Sequence, residues 1–238
     1  MKGLTVILVS ALMAAGQWAW TRDAQASGTA RYYVAFLRPD PARKALSDEE
    51  GEKLQAAHMA NIHKMAVDGV LVSAGPFDDT PRTISGIFIF KVESLEKARE
   101  IAEKDPTVLA HRNTIDVHAW DGPAGIGEEY FRLHKLDPKT PENMQMYPLC
   151  MLFLNEGSGG RGELMEAHER YVEKLRTDGK LGAAGRVTGE DGMAGLVIFR
   201  PMALNEALRM MGDDPAVKGG ALKVEFHQWW SSDHVLPW

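Results

Sequence analysis

A single cysteine, Cys150, stands in a chain of 238 residues, so no internal disulfide can form and no thiolate cluster can hold zinc or an iron–sulfur centre. Positive charge is in the minority as well. Lys and Arg number 27 against 33 Asp and Glu, a formal charge of −6, which leaves no excess for neutralising phosphates and removes nucleic acid from the expected partners. Beyond the N-terminal segment no apolar run approaches the ~18 residues that mark a membrane span. No serine sits in a nucleophile-elbow context, and Gly157-Ser158-Gly159-Gly160-Arg161 lacks the lysine and the spacing of a phosphate loop. What is left is the composition of an ordinary soluble globule, 45% hydrophobic and 25% charged.

The first 26 residues read as a secretory signal. Lys2 supplies a short positive start, Leu4 to Ala15 an apolar stretch, and Ala24-Gln25-Ala26 small residues where a signal peptidase reads them. Cleavage is expected after Ala26. The competing reading is an uncleaved anchor, because Trp18, Ala19 and Trp20 prolong the apolar run. The mature protein is then expected to be exported, periplasmic or extracellular, and free of the membrane.

The rest of the chain repeats itself. His58 to Gly69 aligns with His168 to Gly179, Ala74-Gly75 with Ala184-Gly185, and Ser85 to Phe90 with Ala194 to Phe199. Asp105-Pro106 returns as Asp214-Pro215, and Val117 to Trp120 as Phe226 to Trp229, always at an offset of 109 or 110. A constant offset over so many pairs marks a tandem duplication.

Each copy reads as strand, helix, strand, strand, helix, strand. Tyr32 to Leu37 is the first strand, and Ser47 with Glu50 forms a capping box ahead of a helix carrying Leu54, His58, Ile62 and Met65 at helical spacing. Gly69 ends that helix; Val70–Ser73 and Ile84–Val92 are the middle strands. A second helix over Leu95–Lys104 stops before Pro106, and Thr114–Trp120 closes the unit. The second copy runs from about Leu149 to about Trp230 in the same order.

A βαββαβ unit of this size is the ferredoxin-like arrangement, with helices on one sheet face and the other face in need of a partner. Two units in one chain supply that partner to each other. The expected fold is therefore α+β, an intrachain pseudo-dimeric α/β barrel. Its expected parts are a signal over 1–26, a first unit over 30–122, a linker over 123–147 with a short helix at Glu128–Lys135, and a second unit over 148–238.

His58 and His168 lie on the buried stripes of their helices, and a buried imidazole needs partners for both nitrogens. Asp105 and Asp214 are the acids that recur with them, so a His–Asp contact is expected in each copy. Two readings stand. The pair is either a satisfied core histidine beside a helix-terminating aspartate, or a general acid/base oriented by a carboxylate. Alternation on the last strand puts Asp116, His118 and Trp120 on one face, with Glu225, His227 and Trp229 in the second copy, either a polar and aromatic ligand lining or a packed strand face. A metal site from His58, Asp105 and His118 has no ligand-motif spacing, so no metal is expected. Asp78, Asp79 and Arg82 have no acidic counterparts at Val187-Thr188-Gly189, so a site that uses them belongs to the first copy alone.

The histidine helix, Gly69, Ala74-Gly75-Pro76, the strand led by Gly86 and Asp105-Pro106 together resemble the YCII-related (YciI-like) family over 32–120. The resemblance continues over 149–230, where Arg186 replaces the proline. It implies a ferredoxin-like dimeric α/β barrel and an active-site His–Asp pair, carried onto His58 with Asp105 and His168 with Asp214. It also implies chemistry such as dehydrochlorination of chlorinated hydroxyhydroquinones, while related barrels isomerise lactones or oxidise small aromatics. The expectation is a cofactor-independent acid–base enzyme, a lyase or isomerase, for small aromatic or carbonyl molecules. Its ligand would meet Pro76, His118, Trp120, His227 and Trp229, and Arg186 would hold the charge beside His168 positive. The alternative is a non-catalytic ligand-binding or structural module whose His–Asp pairs brace the fold. An interaction platform would instead expose a large apolar patch.

Overall fold

A computed structural model describes residues 28–80, 82–155, 161–189 and 192–238. The expected signal at 1–26 and the glycine-rich stretch at 157–160 lie outside the described residues.

The first unit consists of β1 (Thr29–Pro39), α1 (Asp48–Val67), β2 (Leu71–Pro76), β3 (Gly86–Phe90), α2 (Leu95–Ala102), α3 (Pro106–Leu109) and β4 (Asn113–Pro123). After α4 (Glu128–Leu136) the order repeats as β5 (Met144–Leu154), α5 (Arg161–Thr177), β6 (Leu181–Thr188), β7 (Met193–Phe199), α6 (Leu204–Asp213), α7 (Pro215–Lys218) and β8 (Leu222–Ser232). The capping box opens α1 as its residues dictate. Ser47 Oγ accepts from the Glu50 amide, and the Glu50 carboxylate accepts from the Ser47 amide. Gly69 and Gly179 end the histidine helices at φ +73° and +69°, a region costly for any residue with a Cβ.

Several strands run further than expected, β1 over Thr29–Pro39 and β2 to Pro76 among them. β4 continues to Pro123 and β5 begins at Met144, because their outer ends pair with the start of β1 (Thr29↔Pro123) and the end of β8 (Met144↔Ser232). Asp105 and Asp214 also do more than end a helix. Each caps a separate short helix whose first residue is the proline, a position where a missing N–H costs nothing.

The two units share one eight-stranded antiparallel sheet, in the order β2-β3-β1-β4-β6-β7-β5-β8. One seam pairs β4 with β6 through Ala119↔Thr188, Trp120↔Val187 and Asp121↔Arg186. The matching seam brings the free edges of β2 and β8 together through the bridge Phe77↔Trp229, and so rounds the sheet into a barrel. The repeated glycines make these seams possible. A Cβ on Gly75 would lie 1.9 Å from the carbonyl oxygen of Trp230, and one on Gly185 would lie 1.9 Å from that of Asp121.

Burial follows this geometry. The barrel core draws on both units, including Tyr32, Phe36, Phe77, Trp120, Tyr147, Val187 and Trp229. Two further cores lie between sheet and helices, one per unit, around Phe88, Phe90 and Met65, and around Phe199, Leu175 and Met211.

Candidate functional site

In the first unit α1 crosses the outer face of the sheet and sets His58 against the end of α2 and the start of α3. His58 Nδ1 lies 2.8 Å from Asp105 Oδ2 and 3.0 Å from Oδ1. Asp105 is fully buried and well supplied with donors. Oδ1 accepts from the Thr107 amide at 3.0 Å and from Thr107 Oγ1 at 2.6 Å, and Oδ2 accepts from Asn61 Nδ2 at 3.0 Å. Burial pushes this carboxyl up, but the hydrogen bonds from His58, Thr107 and Asn61 outweigh it and hold Asp105 below its ordinary range. A carboxylate can only accept, so Nδ1 carries the hydrogen and Nε2 is the nitrogen left for other chemistry.

The polar chain extends beyond the pair. Asn113 Nδ2 donates to Thr107 Oγ1 at 3.0 Å, and Ser85 Oγ donates to Asn113 Oδ1 at 2.9 Å.

The second unit repeats the pair without its surroundings. His168 Nδ1 lies 2.6 Å from Asp214 Oδ2, and Asp214 Oδ1 caps α7 by accepting from Ala216 N at 2.8 Å. The counterparts of Asn61, Ser85, Thr107 and Asn113 are Tyr171, Ala194, Ala216 and Leu222, so among the described residues no such polar chain leads away from Asp214. Tyr171 turns its hydroxyl to the Met210 carbonyl instead. Burial, reinforced by the nearby Asp214 charge, pushes the Cys150 thiol well above its usual range, so it is an inert core group.

Each histidine borders a cleft between its helix and the two middle strands. The first cleft has a volume of about 950 Å³ and is walled by His58, Ala74, Gly75, Pro76, Ser85, Thr107 and Asn113, with Arg43, Arg82, Arg112, Asp48 and Glu52 towards its mouth. The second has about 230 Å³ and is walled by His168, Ala184, Gly185, Arg186 and apolar side chains. Exposure follows: the His58 side chain is 17% accessible and that of His168 3%. Pro76 lines the first cleft, and Arg186 stands at the matching place in the second.

The last-strand residues lie elsewhere. Trp120 and Trp229 are fully buried in the barrel core, His118 packs on Phe36, and His227 on Phe77. None of these four lines the cleft beside His58. Closing the barrel turns this strand face inward, so the indoles that looked like a ligand lining are core. The same geometry puts His118 across the sheet from His58 and Asp105. His118 Nε2 pairs with Asp116 at 2.9 Å, and His227 Nε2 with Glu225 at 3.1 Å. Hydrogen bonding to His118 lowers the Asp116 carboxyl, burial partly opposes it, and Arg38 adds to the lowering.

Sequence reasoning missed Asn61, Thr107 and Asn113. Asn61 was the detectable one, a polar residue one turn from His58 on the same helix face. Among the described residues no group of three or more His, Cys, Asp or Glu is placed to hold a metal ion, and no helix is long and apolar enough to cross a membrane.

A family model for the YCII-related domain matches this chain twice, over residues 31–120 and 146–229. No curated protein matches it. Among solved structures it is similar to a chlorite dismutase variant from Candidatus Nitrospira defluvii, at 11% identity and TM-score 0.54, covering 88% of this chain and 93% of that one. It is also similar to a heme-binding protein from Thermus thermophilus, at 13% identity and TM-score 0.52, covering 87% of this chain and 95% of that one. At such identities the likeness is one of fold.

Proposed function

The chain belongs to the YCII-related domain family, and from that premise we propose that its first cleft is the working site of an acid–base enzyme for small aromatic or carbonyl compounds. His58 Nε2 is the atom that moves the proton. Asp105 fixes the ring tautomer through Nδ1 and stabilises the imidazolium formed when Nε2 takes a proton from a phenolic or carbonyl-activated substrate. Return of that proton to a different substrate atom is an isomerisation, and loss of chloride from the anion is a dehydrochlorination. The N-terminal segment directs export, so the reaction runs outside the cytoplasm.

The observation that carries this reading is the difference between the two copies. His58 borders a cleft several times larger than the one at His168, and among the described residues only its aspartate sits in an extended polar network. For the second copy we take the alternative reading, with His168 and Asp214 as a sealed brace between helices.

Turnover of chlorinated hydroxyhydroquinones and enol-lactones, followed by chloride release and by NMR of the product, tests the assignment. Wild type and His168→Gln should turn over a substrate that folded His58→Gln does not. Full activity in His58→Gln, or no turnover of any member by the wild type, overturns it.

A further inference from the structure

The polar chain along the floor of the first cleft has a direction, and the direction selects the ligand. Asp105 is an ionised carboxylate, so the Thr107 hydroxyl 2.6 Å from it must donate its only hydrogen there. Thr107 Oγ1 then has lone pairs alone to offer at 3.0 Å, which requires the Asn113 amide to present its NH₂ on that side. Asn113 Oδ1 consequently faces Ser85, and the Ser85 hydroxyl, 2.9 Å away, must donate its hydrogen to it. Each step leaves one orientation open, and an inverted Asn113 would set its oxygen against an oxygen that has no hydrogen left to give.

Ser85 also lines the cleft. With its hydrogen committed, the hydroxyl can offer the cleft only acceptor lone pairs, and no described residue donates to Oγ. From the Ser85–Asn113–Thr107–Asp105 chain we infer that the first cleft recognises a ligand bearing a hydroxyl or N–H donor, held at Ser85 Oγ. This rests on the first cleft being the ligand site and names the chemistry that site selects, a hydroxylated aromatic being the simplest form. The second cleft has no such selectivity, since Ala194, Leu222 and Ala216 stand at the matching positions.

The test compares hydroquinone with 1,4-difluorobenzene, which has nearly the same shape and no donor, by NMR titration of the full mature chain. Wild type should favour hydroquinone by roughly tenfold or more, since a ligand without a donor leaves a polar group of the site unpaired. Ser85→Ala should bring the ratio close to one. Thr107→Val keeps Ser85 but frees Asn113 to turn round, and it should also erode the preference, whereas Thr107→Ser should restore it. Failure of both probes to bind, or a hydroquinone preference that survives in folded Ser85→Ala, overturns the inference. His58→Gln separates it from the catalytic reading. The donor preference should persist in that variant although its turnover is lost, whereas an absence of turnover in the wild type beside an intact preference removes the enzyme and leaves the recognition.

Discussion

His227 Nδ1 lies 2.6 Å from Asp79 Oδ2, a contact between residues 148 positions apart that ties the last strand of the second unit to the loop after β2 of the first. The other ring nitrogen meets Glu225 at 3.1 Å, and Asp79 Oδ1 accepts from the Gln228 amide at 2.9 Å. The loop so held follows Pro76 and leads to Arg82 and Ser85, so a contact with the second unit fixes one wall of the first cleft.

Asp79→Ala should therefore destabilise the protein by about 2–4 kcal/mol, near the lower end of what breaking a buried pair costs, because Asp79 keeps some contact with water. Asp116→Ala removes a more exposed partner of His118 and should cost about 1 kcal/mol. Denaturant midpoints of the two variants decide the matter. Equal losses would mean that the cross-unit contact contributes nothing special.

Gly75→Ala and Gly185→Ala should each cost about 3 kcal/mol or more, since the added methyl meets a backbone oxygen that moves only if the seam parts. Gly212→Ala, in α6 with nothing within 4 Å of the new methyl, should stabilise by about 0.5–1 kcal/mol. Thermal unfolding of the three variants reads both signs. An unshifted melting temperature in Gly75→Ala would show that the seam has slack.

The depressed pKa of Asp105 makes part of the stability depend on pH. The folded value is below the unfolded one, so this contribution is complete above the ordinary carboxylate range near pH 4 and is lost as pH falls through the folded value. Urea unfolding at stepped pH should show wild type well ahead of Asp105→Asn at neutrality, with the gap closing below about pH 4. A constant gap down to about pH 2 would mean that the carboxylate charge is not what the network stabilises.

The two histidines should answer substitution in opposite ways. His168→Ala strands a buried aspartate and should cost about 3–5 kcal/mol, whereas His58→Ala opens onto a cleft that water can enter and should cost about 1–2 kcal/mol. Diethyl pyrocarbonate labelling read by mass spectrometry gives the companion result, with His58 modified quickly and His168 protected. Labelling of both at one rate would contradict the sealed second pair.

Much of this was legible because it is local or repeated. The duplication, the βαββαβ order, the capping box at Ser47 and both His–Asp pairs follow from periodicity and from residues at equal offsets. The fate of Trp120 was not legible, because alternation says which residues share a strand face and not whether that face turns towards a ligand or towards the other half of a barrel. Gly75 stood out only as a glycine that recurs at Gly185, and the carbonyl of Trp230 that requires it is far away in sequence. Asp79 was recognisable as belonging to the first copy alone, but its partner His227 had already been given another role. Asn113 and Thr107 carry no signal of their own and acquire one only when α3 and β4 bring them beside Asp105.

Two identical chains closing a barrel must accept every substitution twice, once on each side of the axis, so neither site can change without the other. Joining the copies in one polypeptide removes that constraint. Thr107 and Ala216, or Asn113 and Leu222, are now independent positions, and one half can be given over to holding the shape while the other is refined for a ligand. The price of that freedom is mutual dependence. Each seam is made from strands of both halves, so a half expressed alone would present two bare strand edges and its side of the barrel core to water, and the specialised site would lose the wall that its silent twin maintains.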